Sequence, residues 1–343
     1  MSCFVIAEAG VNHNGSLDLA MRLVDAAAQA GADAVKFQTF KADSLVMPGT
    51  AKAAYQQAQT GDGDQFSMIR ALELPEEHHV ALIERCKTRG IEFMSTPFDR
   101  ESARFLIELG MRRVKIPSGE LTNRPFLEFL AASGKPLILS TGMGTLAEVQ
   151  RAMCWLSQAR AATGHSAAPA EFLTVLHCTS NYPAEPVDVN LSAMATLRDA
   201  LNLPIGYSDH TLGIEISLAA VGMGATVIEK HFTLDRSLPG PDHQASLDVE
   251  QLRVLVTGIR NIGKAWGDGI KQPRASELPV RELVRRSAFA ARDLSAGHAL
   301  AESDLKFVRP GTGIGPEHAT ELNGRVLQRA LKAGDMLAWS DLH

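Results

Sequence analysis

Two histidines and two lysines carry the chemical signal of this chain. In Gly206-Tyr207-Ser208-Asp209-His210, residues two apart share one face of an extended chain, with Cα atoms roughly 6.5–7 Å apart. Ser208 and His210 are then neighbours, a hydroxyl suited to phosphate beside an imidazole suited to a metal. His231 closes the next extended run. If the two runs lie side by side, the imidazoles meet as ligands fitting Mn²⁺, Co²⁺, Ni²⁺ or Zn²⁺, with open positions that favour a catalytic ion. Lys36 shares a face with Gln38, and Arg113 with Lys115, while Val35, Phe37, Val114 and Ile116 take the other face. Two lysines turned into a protein interior are costly unless they are paired or meet an anion. Beside Thr96, Ser118, Ser140, Thr141, Ser180 and Ser208, they point to an anionic substrate. Asp242 and His243, in the loop LPGPDH, can reach the same place. His78, His79, His165, His298, His318 and His343 have no partner at ligand spacing and read as structural or surface residues. Gly142-Met143-Gly144 brings backbone N–H groups to a phosphate, or is a plain turn.

These residues need a frame that gathers strand ends. Eight short apolar runs occur at 4–9, 34–39, 92–96, 113–118, 137–141, 172–178, 205–208 and 226–232. Most intervals between them are helix-like. Ala20, Leu23, Val24 and Ala27 recur at helical spacing behind a Ser16 N-cap, and Asp248 with Gln251 makes a capping box before the apolar face Leu252, Leu255, Val256 and Ile259. Repeated strand–helix units demand parallel strands, and eight of them close a (β/α)8 TIM barrel, spanning 1–266 here. A doubly wound open sheet is the alternative, weakened because no G-x-G-x-x-G follows the first strand. Residues 267–284 read as a linker, and 285–343 as a small second domain with short strands and many turn glycines. The insertion 41–74 is too long for an ordinary connection. It reads as a cap over the barrel mouth, partly helical at 51–59, against the plainer alternative of a surface excursion.

Composition excludes several classes. The chain has 343 residues, 45% hydrophobic and 21% charged, with a formal charge of −5. That supports a packed core and gives no general attraction to nucleic acid or anionic membrane. No apolar run is long enough to span a bilayer. Four scattered cysteines without a CxxC pair, and a beginning unlike a signal peptide, fit a cytoplasmic enzyme.

The motifs EAGVNHNGS, VKFQTF, STPFD, KIPSGE, LSTGM, HCTSNYP, GYSDHTLG and IEKHFTLD…PGPDH occur in this order. Together they resemble the sialic acid synthase family, the N-acetylneuraminate synthases and their nonulosonate relatives. The tail, with VRPGTGIGP, resembles the antifreeze-like SAF (β-clip) domain of those enzymes. The resemblance implies condensation of phosphoenolpyruvate with N-acetylmannosamine or a related 2-acetamido sugar, giving a nine-carbon 2-keto acid and phosphate. It implies a divalent ion on His210 and His231, most often Mn²⁺, with Mg²⁺ or Co²⁺ as alternatives. Lys36, Thr96, Lys115, Ser118, Ser140, Ser180 and Ser208 would hold phosphoenolpyruvate, with serine at 180 where the family motif also has asparagine. Gln38, Glu120, Tyr182 and Asp242 match positions near the sugar. Glu8, Lys36, Lys115 and Asp242 are the catalytic candidates. Arg309 matches a SAF arginine that reaches the sugar site of the other subunit in a domain-swapped homodimer. KIPSGE and EAGVNHNG look nearer to the N-acetylneuraminate and legionaminic branches than to the pseudaminic one. The alternatives are a legionaminic or pseudaminic acid synthase using a 2,4-diacetamido-6-deoxy sugar, a metal-dependent aldolase on the same barrel, and a non-catalytic sugar- or ice-binding protein.

Overall fold

Eight parallel strands alternate with helices: β1 (Phe4–Gly10), β2 (Ala34–Thr39), β3 (Glu92–Pro97), β4 (Val114–Ile116), β5 (Leu137–Ser140), β6 (Leu173–Cys178), β7 (Ile205–Asp209) and β8 (Val227–His231). The computed structural model describes residues 2–343. Hydrogen bonding runs β3-β2-β1-β8-β7-β6-β5-β4. β3 and β4, at the ends of this order, pack together, so the sheet closes as a TIM barrel. The chain divides into two compact units, one ending at Gly267 and the other Asp268–His343.

Alternation along each strand sorts the side chains. Val5, Ala7, Val35, Phe37, Val114 and Ile116 face outward into the apolar layer under the helices. Inward, Ile6, Ala34, Met94, Ile138, Leu176 and Val227 form a sealed plug, with Phe4 packed beneath. Two residues further along the same strands stand Glu8, Lys36, Thr96, Ser140, Cys178 and Glu229, all buried. The plug therefore supplies a dry floor for a polar layer at the C-terminal ends.

The helices begin where the caps place them. Ser16 accepts from the Leu19 N–H ahead of Leu17–Gln29, and the Asp248/Gln251 capping box opens Val249–Ala265. The fourth strand is shorter than its apolar run suggests. After Pro117, Ser118–Glu120 turns into a single 3-10 turn, since proline cannot donate to a ladder. The insertion is more helical than its sequence suggests, with helices Ala42–Leu45, Ala54–Thr60 and Gln65–Ala71. It is anchored by an apolar cluster of Val11, Phe40 and Leu72 with Leu45, Met68, Ile69 and Phe98.

The stretch read as a linker is not wholly irregular, because Pro279 starts the helix Leu278–Val284. Beyond it, β9 (Ser287–Ala290) and β10 (Leu305–Val308) pair antiparallel. They enclose a core of Ala288, Ala290, Leu294, Leu300, Ile314, Leu322, Leu327, Leu331, Leu337 and Leu342. Asp304 and Asp341 brace two turns, each accepting a backbone N–H and an arginine bond.

Candidate active site

The polar layer opens into a cavity of about 450 Å³ at the C-terminal ends of the strands. Its walls include Glu8, Lys36, Gln38, Thr96, Lys115, Ser118, Ser140, Ser180, Tyr182, Ser208, His210 and His231, residues that sequence reasoning had grouped. A larger cavity of about 580 Å³ at the opposite strand ends has neither a histidine nor a buried lysine in its lining.

Lys36 sits at the centre. Its Nζ donates to Thr96 Oγ1 at 2.7 Å and lies 2.6 Å from Glu8 Oε2 and 3.7 Å from Glu229 Oε2. Lys115 is held far more loosely, with a 3.4 Å bond to the Ile116 carbonyl and a 3.5 Å ion pair to Glu229. Ser208 Oγ donates to Glu229 Oε1 at 3.3 Å. Ser140 Oγ is buried without a hydrogen-bond partner. Two ammonium groups and two carboxylates thus share one dry cup. Burial raises the Glu8 carboxyl to about 7 against the pull of Lys36, while Lys115 and Lys36 outweigh burial at Glu229 and hold it below the usual carboxylate range. Burial in turn lowers the Lys115 ammonium against the pull of Glu229, and the cup holds donors that are not fully used, the Lys115 ammonium and the Ser140 hydroxyl. Such a site binds an anion.

Glycine is required at one wall. A Cβ at Gly142 would fall 2.2 Å from Ser180 Oγ and 2.9 Å from Ser118 Oγ. The Gly142 N–H itself donates to Ser118 Oγ at 3.0 Å. The Gly142 N–H is thus taken by a side chain, and of Gly142-Met143-Gly144 only Met143 lines the cavity.

On the adjacent side, the His210 and His231 rings lie 5.7 Å apart between centroids. His210 Nδ1 is 2.6 Å from the Thr179 carbonyl. That contact places a proton on Nδ1, and the neutral ring has its lone pair on Nε2; against burial, Cys178 and the Thr179 carbonyl raise this imidazole, so a cation at Nε2 would compete with a proton. His231 Nδ1 is buried without a hydrogen-bond partner, 4.0 Å from Asp242 Oδ2. Burial, His210 and the nearby lysines hold the His231 imidazole well below its ordinary range, so it is neutral. Two imidazoles with free nitrogens fit a divalent cation; among the described residues no third histidine, cysteine or carboxylate completes the set, which leaves positions for oxygen ligands from substrate or water. Burial pushes the Asp242 carboxyl up to about 6.

Tyr182 stacks on His210 with ring centroids 4.0 Å apart, and Tyr55, from the insertion, packs on Tyr182 at 5.3 Å. Gln59 of the same helix donates to Gln244 at 2.8 Å. The insertion thereby covers this side of the mouth. Beneath it lies a second cavity of about 410 Å³, lined by Gln38, Tyr55, Gln56, Gln65, Tyr182, His231 and Asp242 and by the apolar Leu45, Met68 and Phe98. No lysine or arginine lines it.

Not every expected residue joins this site. Glu120 lines neither cavity; its carboxylate accepts from Asn123 Nδ2 at 2.5 Å. His243 turns away from the mouth to bond Thr233 Oγ1 at 2.7 Å and Asn14 Oδ1 at 3.2 Å, so of the Asp242–His243 pair only Asp242 reaches it. Arg309, expected at the site of a partner subunit, is exposed on the second unit. Conversely, Glu229 and Tyr55 belong to the site without having been assigned a role. Glu229 was legible as the inward residue two before His231; nothing in the local sequence singles out Tyr55.

The NeuB family pattern matches residues 23–271, and the SAF domain pattern residues 285–343. An N,N'-diacetyllegionaminic acid synthase of Legionella pneumophila is 53% identical over all of this chain and 95% of its own length. One of Campylobacter jejuni is 47% identical, over 97% of this chain and 98% of its own length. The crystal structure of an N-acetylneuraminic acid (sialic acid) synthetase from Leptospira borgpetersenii superimposes with a TM-score of 0.69 at 37% identity, covering 82% of this chain and 90% of that one.

Proposed function

This chain belongs to the NeuB family and carries a SAF domain, and on that premise we propose that it is a nonulosonic acid synthase, condensing phosphoenolpyruvate with N-acetylmannosamine or a related 2-acetamido sugar and releasing phosphate. The observation that carries the reading is the cup itself. Two buried lysines and several hydroxyls, one without a partner, stand beside two imidazoles on adjoining strands. A metal-dependent aldolase would share the histidines and phosphate donors but release no phosphate and offer no reason for the SAF domain, and a binding protein needs no interior lysine pair facing a metal.

In this reading Lys36, Lys115, Thr96, Ser118, Ser140, Ser180 and Ser208 fix the phosphate and carboxylate of phosphoenolpyruvate. Tyr182, Gln38 and Asp242 place the open-chain sugar with its C1 carbonyl toward C3 of the enol. His210 and His231 would hold a divalent cation, Mn²⁺ first, with Mg²⁺ or Co²⁺ as alternatives; it would supply Lewis-acid polarisation of a carbonyl oxygen. The C3–C1 bond forms, the former carbonyl oxygen takes a proton, water adds at C2, and the C2–O bond to phosphate breaks. Glu8, with its carboxyl at about 7, or Asp242, at about 6, accepts the proton of the incoming water. Most of the rate gain then comes from positioning and preorganised charge.

Within one subunit no lysine or arginine lines the 410 Å³ cavity, a lining that suits a sugar without a phosphate. A second reading has a specific support. The apolar wall of Leu45, Met68 and Phe98 suits the methyl end of a 2,4-diacetamido-6-deoxy sugar, the substrate class of a legionaminic acid synthase. By resemblance, Arg309 serves the sugar site of a partner subunit in a swapped homodimer. Four cysteines, all free, support a cytoplasmic location, and no helix among the described residues is long and apolar enough to cross a membrane.

A phosphate-release assay with phosphoenolpyruvate, Mn²⁺ and a panel of N-acetylmannosamine, its 6-phosphate and 2,4-diacetamido-6-deoxy sugars tests the proposal. Sugar-dependent phosphate release is expected, with the 6-phosphate poorest. No release with any sugar overturns the synthase reading. Arg309→Ala should raise the KM for the sugar more than that for phosphoenolpyruvate.

A further inference from the structure

A second charged cluster lies on the outer face of the same strands. Asp209 and Lys230 are register partners across β7 and β8, each 1% exposed. Each directly precedes one of the two imidazoles, His210 and His231. Asp209 Oδ1 accepts from the Thr211 N–H at 2.9 Å, Thr211 Oγ1 at 2.8 Å and the Tyr207 hydroxyl at 3.3 Å. Its Oδ2 accepts from Ser217 Oγ at 2.6 Å and lies 2.9 Å from Lys230 Nζ. Lys230 in turn donates to the Thr211 carbonyl at 2.5 Å. One carboxylate thus ties the end of β7, the helix Glu215–Gly222 and the end of β8.

A buried ion pair is a poor device for stability alone, since apolar residues of similar volume serve as well or better. Its distinctive property is direction, and here the direction is specific. Asp209 grips the N–H of the His210–Thr211 peptide and Lys230 the C=O of the Thr211–Leu212 peptide, so the backbone just past His210 is held on both sides of Thr211. The ammonium that grips it belongs to the residue before His231. We propose that Asp209 and Lys230 are positioning residues that hold His210 and His231 at the separation and tilt at which both can bind one cation. The proposal rests on the reading of these histidines as a metal pair.

The test is calorimetric titration of Mn²⁺ alone into the metal-stripped full chain. Wild type is compared with the double variant Asp209→Asn/Lys230→Met and with the milder Ser217→Ala. Loss of an orienting partner should weaken Mn²⁺ binding about 10–100-fold in the double variant, and roughly two- to tenfold in Ser217→Ala, the worth of one hydrogen bond. Phosphoenolpyruvate affinity, set mainly by Lys36 and Lys115 on other strands, should fall by a smaller factor than Mn²⁺ affinity if the pair acts on the imidazoles. A purely structural pair would lower the melting temperature and leave Mn²⁺ affinity of the folded protein unchanged. A folded double variant that binds Mn²⁺ like wild type overturns the proposal. If the double variant does not fold, unchanged affinity in Ser217→Ala overturns it. Wild type that binds no Mn²⁺ removes the metal reading as well, so the two failures are distinguishable.

Discussion

Two buried charge clusters sit on opposite faces of β7 and β8, and they are built differently. Outside the barrel, the Asp209 carboxylate takes four hydrogen bonds and a lysine, and Lys230 has a short bond to a carbonyl. Inside, Lys115 makes only long contacts, and the Ser140 hydroxyl and His231 Nδ1 have no hydrogen-bond partner. Buried polar groups are normally paired. The saturated cluster is complete as it stands, whereas the inner one has bonding capacity reserved for something else. Burial alone does not separate the two, since both are almost wholly enclosed. The state of satisfaction does.

Four experiments bear on this contrast. The largest effect is expected inside, on rate. Lys115→Met should lower kcat/KM at least about 100-fold, as loss of a principal electrostatic stabiliser does, while costing less stability than the outer substitution. Equal urea midpoints for Lys115→Met and Lys230→Met would erase the distinction. Next, Lys230→Met leaves Asp209 charged and unpaired and should cost about 3–5 kcal/mol in urea unfolding.

A pH experiment follows. The folded Glu8 carboxyl, at about 7, lies above its ordinary value of 4.5. Its contribution to stability is full below that ordinary value and is lost as pH rises through about 7. His13, pushed down by burial to about 4, acts in the opposite sense over part of this window. The readout is therefore differential: melting curves of Glu8→Gln and wild type should diverge in slope between pH 5 and 7, and parallel curves would refute the Glu8 assignment. The smallest effect compares two serines. Ser217→Ala removes a bonded hydroxyl and should cost about 1 kcal/mol, whereas Ser140→Ala removes an unpartnered one and should cost nothing or stabilise slightly. Phosphoenolpyruvate binding should weaken only in Ser140→Ala.

Much of this was legible before any fold was known. Period-two alternation placed Ile6 and Glu8 on one face and Val35 and Phe37 on the other, and the strands obey it. Side-chain direction in a strand is a local property, so residues two apart betray it. The caps at Ser16 and Asp248 are local in the same sense. The end of the fourth strand was less legible, because Pro117 ended the ladder inside an apolar run.

What the sequence determined by itself, then, is which residues face the barrel axis and at which strand ends polarity collects, because backbone geometry repeats along the chain. Which residues meet was settled by folding. It gave Glu229 to both lysines, laid Tyr55 on Tyr182, brought Asp242 to the imidazoles while turning His243 aside, and locked Asp209 to Lys230. Those partnerships depend on barrel closure and on loop paths. They join residues distant in the chain through short-range forces that no local pattern encodes.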